Sequence, residues 1–169
     1  VTNGDLVLEN GKPAIVFDGS QDEFDINSKV GGVSDYSVFA ISNLTYDGGA
    51  FILRRFGGPN PQNILSGMNK LYNSDPAWRG AGGELGLGYQ NIATWLLLGS
   101  SNNSGYSNGV VVESSVNGDQ AEFDGAAGTL TLGGGSGSNF ITGNLQEFII
   151  YESDQSENRG QIESNINAY

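Results

Sequence analysis

The chain has 169 residues, which suits a single domain that can bury a core without disulfides or metals. It contains no Cys and no His, so thiol catalysis, thiolate metal sites and the commonest general base are excluded. The net charge of −12, with only seven Lys and Arg, argues against partners such as nucleic acid or an anionic membrane surface. We interpret residues 1–169 as one domain, an excerpt or module of a longer chain.

Glycine and short apolar runs indicate an all-β protein. The 27 glycines are hard to place in helices, because each interior Gly costs about 1 kcal/mol relative to Ala. No apolar run approaches the roughly 20 residues that span a bilayer, so we expect no membrane insertion. In chain order, the predicted strands are residues 13–18, 23–26, 37–45, 50–56, 84–89, 93–98, 110–116, 129–133 and 145–151.

Two connections carry further predictions. The turn signal Tyr-Asp-Gly-Gly at 46–49 predicts a hairpin between strands 37–45 and 50–56. Residues 57–83 are rich in Gly, Pro and Asn and predict one long loop. Loops of more than about 12–15 residues are often binding loops. We expect this one to fold over an edge or face of the sheet.

Only the end of the chain has helical periodicity. Ile162, Ile166 and Tyr169 recur at i, i+4 and i+7 and form one narrow apolar stripe. Asp154 with Glu157 three residues later is typical of a capping box, and Ser156 is an alternative N-cap. Strand 145–151 is apolar on both faces, with Phe148 and Ile150 on one and Leu145, Ile149 and Tyr151 on the other. The helix is the expected cover of the second face.

The end of the chain also resembles a known family. Residues 143–151 (GNLQEFIIY), followed by 159–163 (RGQIE), resemble the closing segment of LamG-like jelly-roll domains in the concanavalin A-like lectin/glucanase superfamily. Residues 16–19 (VFDG) resemble the entry strand of that family, and 116–118 (VNG) resemble its central turn. The form of the tail, 153–167, is most similar to versions in bacteriophage structural proteins and bacterial surface proteins.

The resemblance implies a fold and a class of function. The fold is an all-β, two-sheet antiparallel jelly-roll sandwich (concanavalin A-like) with one C-terminal helix. The function is non-catalytic carbohydrate binding or adhesion, either on a phage virion (fibre, decoration or tail protein) or on a secreted bacterial protein. The expected location is therefore extracellular or on the virion surface. Expected partners are a glycan or cell-surface polysaccharide and neighbouring virion or surface proteins, and a homo-oligomer is compatible with this setting.

Two alternatives remain open. One is a purely structural protein–protein interaction domain of a virion, and the other is a glycoside hydrolase-like domain. Retaining glucanases of the superfamily carry Glu-x-Asp-x-Glu on one strand, and residues 23–27 (EFDIN) approach this motif with Asn27 in the third place. Residues 122–126 (EFDGA) approach the same motif, with Ala126 in its third place. Because neither Asn nor Ala exchanges a proton, we expect no enzyme activity and assign no catalytic residues.

Three residues are candidates for sugar binding. Trp78, Arg79 and Tyr106 lie in stretches rich in Gly, Asn and Ser, where loops on a rigid scaffold carry recognition. Trp78 and Tyr106 would stack on a sugar ring, and Arg79 would bond its hydroxyls. The alternative for Trp78 is that it anchors its loop onto the sheet. Trp95 is expected in the core because it lies among leucines on a strand. Tyr46 and Tyr89 are weaker candidates.

Metal binding stays undecided at this level. Calcium prefers six to eight oxygen ligands, and the acidic residues close together in sequence or heading a Gly turn are Asp18, Asp22, Asp25 and Asp47. Turn chemistry, in which Asp bonds the backbone two residues on, explains them equally well. We therefore predict no cofactor, leave calcium open and name no metal ligands. Glu147 is expected to have a structural role near the tail helix.

Overall fold

The computed structural model describes residues 6–26, 35–45, 51–56, 63–66, 70–74, 78–82, 90–98, 102–115, 129–133 and 140–168. These residues form thirteen strands and one C-terminal helix. The elements are β1 (Leu6–Glu9), β2 (Lys12–Asp18), β3 (Phe24–Ile26), β4 (Asp35–Leu44), β5 (Phe51–Phe56), β6 (Asn63–Ser66), β7 (Lys70–Ser74), β8 (Trp78–Gly82), β9 (Asn91–Leu98), β10 (Asn102–Ser107), β11 (Val110–Ser115), β12 (Thr129–Leu132), β13 (Thr142–Tyr151) and α1 (Arg159–Ala168).

The strands form two antiparallel sheets. The seven-stranded sheet has the order β1-β2-β13-β4-β9-β10-β11, and the six-stranded sheet has the order β3-β12-β5-β6-β7-β8. Phe17 of β2 packs edge-to-face against Phe24 of β3, with ring centroids 5.8 Å apart, so the sheets contact each other through aromatic side chains. The all-β fold and the C-terminal helix that the sequence predicts are confirmed.

The core lies on the inner face of the seven-stranded sheet. Val38 and Ala40 of β4 pair with Trp95 and Ala93 of β9, and all four side chains are buried. Trp95 is 3% exposed, which confirms its predicted core position. Since β4 and β9 lie near the middle of the sheet and are apolar on both faces, they need cover on both sides, as β13 does.

Two predictions about connections are wrong. The strands on either side of the Tyr-Asp-Gly-Gly signal do not form a hairpin, because β4 pairs with β13 and β9 whereas β5 belongs to the other sheet. A turn signal specifies a change of direction but does not choose the partner strand. The predicted loop 57–83 contains β6, β7 and β8, which extend the six-stranded sheet. The predicted strand 84–89 lies outside the described residues.

The helix covers the outer face of the seven-stranded sheet, as the sequence predicts. Ile166 is buried in a cluster with Phe39, Ile41 and Ile92, and Ile149, Tyr151 and Ile162 pack around it. Tyr169 lies outside the described residues. Asp154 accepts a hydrogen bond from the backbone N–H of Ser156 (2.8 Å), so it caps the turn that leads into the helix. The α-helix itself begins at Arg159.

A β-bulge interrupts β13 at Gln146. Leu145 pairs with Ser42 and Glu147 pairs with Ile41, so Gln146 is an extra residue without a partner on β4. The period of two predicts that Leu145 lies on the same face as Ile149. Because of the bulge, Leu145 lies instead on the inner face, together with Phe148. One inserted residue reverses the faces of all the residues before it.

Candidate functional site

The outer face of the seven-stranded sheet has an apolar part and a polar part. Phe39, Ile41 and Ile92 lie under α1, whereas the neighbouring residues toward β1 and β2 are amides and carboxylates. The polar part contains Glu9, Asn10, Asn43, Gln90, Asn144 and Gln146. The C-terminal end of α1 stands at the boundary between them.

A cleft of about 560 Å³ opens at this boundary. Its described lining residues are Asn10, Lys12, Pro13, Ile41, Gln90, Asn91, Ile92, Asn108, Gln146, Glu147, Ile166 and Asn167. The volume is within the range of about 300–1,000 Å³ that is usual for small-molecule sites. Side-chain amides outnumber every other chemical type among these described residues, and each amide offers both donors and acceptors.

Two Asn-Gly turns contribute to this lining from opposite ends of the sheet. Asn10 and Gly11 join β1 to β2 with φ values of 50° and 77°, and Asn108 and Gly109 join β10 to β11 with 50° and 80°. Two successive positive φ values define the type I′ turn, whose twist matches that of the flanking strands. Asn tolerates this conformation better than most residues, so the turn geometry places an amide at the cleft from both of the sheet's outermost hairpins.

A chain of hydrogen-bonded amides holds one side of the cleft. Asn10 Nδ2 donates to Gln90 Oε1, Gln90 Nε2 donates to Gln146 Oε1, and Gln146 Nε2 donates to the backbone oxygen of Glu9 (2.8 Å). Gln146 takes part because it is the bulged residue, and bulges commonly redirect a side chain. The chain ties the β1–β2 hairpin to β9 and β13, so these amides are held in fixed orientations.

The other turn is held equally firmly. Asn108 Nδ2 donates to Asn91 Oδ1 (2.9 Å), and the backbone N–H of Ile92 donates to Asn108 Oδ1 (2.9 Å). The backbone N–H of Asn108 donates in turn to the oxygen of Ile92 (2.8 Å). Asn108 is therefore held in a fixed position at the cleft. Because its amide already donates and accepts hydrogen bonds within the chain, it has few hydrogen-bonding sites left for a ligand.

Among the described lining residues, the charged ones are Lys12 and Glu147. Lys12 is exposed and already takes part in an interaction within the chain. Glu147 is half-buried, and no described residue donates a hydrogen bond to its carboxylate. The carboxylate of nearby Glu9 differs, because it accepts hydrogen bonds from Asn43 (2.8 Å) and Asn144 (2.9 Å). Glu147, predicted as structural, is thus the acceptor most available to a ligand.

The three residues predicted to bind sugar lie in β8 and β10 and are not among the described lining residues of the cleft. Tyr106 is in β10, where its half-buried ring is covered by the guanidinium of Arg159 at 3.9 Å from the ring centroid. Trp78 and Arg79 are in β8, and their side chains are outside the described part of the structure. The prediction that these residues lie in loops is wrong. Ser- and Gly-rich segments have low intrinsic strand propensity, but pairing with neighbouring strands overrides it.

Arg159 and Tyr106 belong to a group that fastens the helix to the sheet. Arg159 forms an ion pair with Glu163 (2.8 Å), and Thr94 of β9 donates to the same carboxylate (2.8 Å). Glu163 is 8% exposed, so both of its partners are needed to compensate its desolvation. The Arg and the Ile-Glu of the tail motif, which are Arg159, Ile162 and Glu163 in this chain, therefore dock the helix onto the sheet.

Two of the four carboxylates considered for calcium, Asp18 and Asp22, accept hydrogen bonds that are typical of turns. Asp18 Oδ1 accepts the N–H of Ser20 (2.7 Å), and Asp22 Oδ2 accepts the N–H of Asp18 (2.8 Å). No group of three or more potential metal ligands of the His, Cys, Asp or Glu type occurs within the described residues. The side chain of Asp25 and the whole of Asp47 lie outside them, as do Tyr46, Tyr89 and the 122–126 motif. Glu23 is exposed just before β3.

Sequence reasoning missed the amides of the cleft. The pairs Asn10-Gly11 and Asn108-Gly109 are hairpin signals that a sequence can carry, and they would have located two of the lining residues. Nothing local marks Gln90, Gln146 or Asn167, because they meet only when distant strands pair.

α1, the helix of the described region, is neither long nor apolar enough to cross a membrane.

Comparisons with known proteins concern the fold. No protein-family model matches the chain, and no curated protein matches it in sequence. One similar structure is Domain 4 of AbnA, an extracellular GH43 arabinanase from Geobacillus stearothermophilus, which was solved in complex with arabinotriose. Its TM-score is 0.69 and its sequence identity is 18%. The match covers 89% of this chain and 77% of the arabinanase domain. A heptameric SAP-like pentraxin from Limulus polyphemus is similar with a TM-score of 0.64 and 14% sequence identity. The match covers 86% of this chain and 78% of the pentraxin chain.

A third structure matches only in part of its length. The binding domain of botulinum neurotoxin serotype D gives a TM-score of 0.64 and 13% identity over 95% of this chain, but over 44% of that one. At such low identity these likenesses establish the fold alone. The chain has a two-sheet jelly-roll β-sandwich fold with one C-terminal helix.

Proposed function

We propose that the chain is a non-catalytic carbohydrate-binding module of the LamG-like type, and that the amide-lined cleft is its binding site. The observation that carries the proposal is the set of amides held in fixed orientations beside a half-buried carboxylate to which no described residue donates a hydrogen bond. Sugar hydroxyls both donate and accept hydrogen bonds, so amides and a carboxylate suit them. Preorganised polar groups bind without a further cost of ordering.

The structural likenesses support this proposal at the level of the fold. The arabinanase domain was solved in complex with arabinotriose, and the neurotoxin segment is a binding domain. Fold alone does not assign a ligand, so the proposal depends on the chemistry of the cleft.

The proposal is tested by one pair of variants of equal chemistry. Asn167 lines the cleft and Asn165 does not, although both are exposed on α1. On neutral glycans selected from an array, Asn167→Ala should weaken binding by about five- to tenfold, the value of one lost hydrogen bond. Asn165→Ala should leave binding unchanged. Absence of binding to every glycan, or equal losses in the two variants, would refute the proposal.

The non-catalytic character has its own support and test. Most glycoside hydrolases use two carboxylates across the scissile bond, and Glu147 is the one carboxylate among the described lining residues. We expect no release of reducing ends from arabinan, β-glucans or sialyl-oligosaccharides over long incubation. Turnover that disappears in an Asp25→Asn variant would show instead that the 23–27 motif is catalytic.

We also propose that the module acts outside the cell, on a virion or a secreted bacterial protein. β1 and β11 are the two edge strands of the seven-stranded sheet, and Leu8 and Val110 on them are 68% and 66% exposed. The unpaired backbone groups of an edge strand can pair with a neighbouring chain, which supports contacts within such an assembly. Antibodies to the chain should label intact virions or cells. Labelling only after lysis would exclude this setting.

A further inference from the structure

From the charges in the cleft, we infer that the site selects neutral glycans with adjacent free hydroxyls and rejects acidic ones, and that Glu147 determines this specificity. The inference rests on the proposed function, because it describes the ligand of the same cleft. The inference adds the charge of the preferred ligand, a property that the fold alone does not determine.

The position of Glu147 makes its carboxylate an acceptor for ligand hydroxyls. It directly follows the bulge in β13 and pairs with Ile41, so it lies on the outer face where the cleft opens. It is half-buried and lines the cleft together with apolar residues and amides, and no described residue donates a hydrogen bond to it. A carboxylate has two oxygens and about four acceptor sites. Two neighbouring hydroxyls of one sugar can therefore each donate to it, with the strength of charge-assisted hydrogen bonds.

The same carboxylate disfavours anionic sugars. A uronic or sialic acid would bring a second negative charge beside Glu147 where water is partly excluded, and like charges repel more strongly there than in bulk water. The net charge of −12 adds a long-range repulsion. Lys12, the basic residue among the described lining residues, is exposed at the cleft and already engaged within the chain. It is a poor counter-charge for an acidic ligand.

The test compares ligands that differ at C6 of each sugar, which is a neutral hydroxymethyl group in one and a carboxylate in the other. Binding of galactotriose and trigalacturonic acid is measured by calorimetry or NMR titration, together with a glycan array in which neutral oligosaccharides and their acidic counterparts are paired. We expect each neutral ligand that binds to exceed its acidic counterpart by about tenfold or more at low salt, with a smaller ratio at high salt.

The variants separate specificity from folding. Glu147→Gln keeps the shape of the side chain and removes its charge, so it should reduce the neutral-to-acidic ratio by about fivefold or more. The melting temperature should not fall, because no described residue bonds to the carboxylate. Glu157→Gln makes the same change in net charge at an exposed position outside the cleft and should leave the ratio unchanged.

The outcomes distinguish the two levels of the proposal. Absence of any glycan binding overturns the proposed function and this inference together. Glycan binding that prefers acidic ligands, or a ratio that Glu147→Gln leaves unchanged, overturns the inference and leaves the binding function standing. A ratio that falls equally in Glu147→Gln and Glu157→Gln assigns the discrimination to net charge and also overturns the role of Glu147.

Discussion

Replacement of Gly143 by Ala is expected to destabilise the protein by about 3 kcal/mol or more. Gly143 has φ 132°, a conformation that L side chains rarely adopt, in the middle of the seven-stranded sheet between β2 and β4. A Cβ there would overlap the backbone oxygen of Asn43 and lie 2.8 Å from Leu44 Cα. Because both obstacles are backbone atoms of β4, a side-chain rotation cannot relieve them.

Thermal unfolding measures this effect. A loss of about 3 kcal/mol corresponds to a fall of about 6–12 °C in melting temperature for a chain of this size. Gly160→Ala is the matched control, since a Cβ at Gly160 meets nothing within 4 Å and the residue is in α1. That variant should be neutral or more stable by up to about 1 kcal/mol. Equal melting temperatures for the two variants would mean that the close approach at Gly143 is absent.

Replacement of Ile166 by Ala should cost about 2–5 kcal/mol. Ile166 is 7% exposed and contacts the cluster of Phe39, Ile41 and Ile92, so the change leaves a cavity between helix and sheet. Because α1 is short and contains Gly160, it depends on this docking more than on its intrinsic propensity. Urea unfolding gives the free energy directly.

The control and the second readout for Ile166 use the same helix. Asn165→Ala changes an exposed neighbour and should alter stability by less than about 0.5 kcal/mol. Ile166 also lines the cleft, so Ile166→Ala should weaken glycan binding as well as stability. A loss of stability below about 0.5 kcal/mol would show that the helix is an appendage, and the outer faces of Phe39 and Ile41 would then need another cover.

Much of the framework was predictable because its signals are local. The periods of two and 3.6 residues are properties of the chain alone, so β2, β9, β13 and the tail helix were predicted close to their observed positions. The apolar character of β13 on both faces also required a cover, which is why the docking of α1 was foreseeable. The strands β6, β7 and β8 were missed, since Gly- and Asn-rich segments carry no clear period.

The candidate site was not predictable for a different reason. The choice of Trp78, Arg79 and Tyr106 followed residue type and presumed loops, whereas the position of Tyr106 beneath Arg159 depends on how the helix docks. The amides of the cleft come from positions 10, 90, 108, 146 and 167, which are far apart in the chain. No single segment carries the chemistry that they form together.

The sequence by itself determined the fold class, the absence of thiol and imidazole chemistry, the core position of Trp95 and the docking stripe of the helix. Only the tertiary structure decided which strands pair, that a bulge turns Gln146 toward Gln90, and that Glu147 stands in a cleft. The physical reason is that strand pairing is a long-range contact. Its partner is chosen by the burial of whole faces and by register, and a shift of one residue exchanges the buried and the exposed side chains.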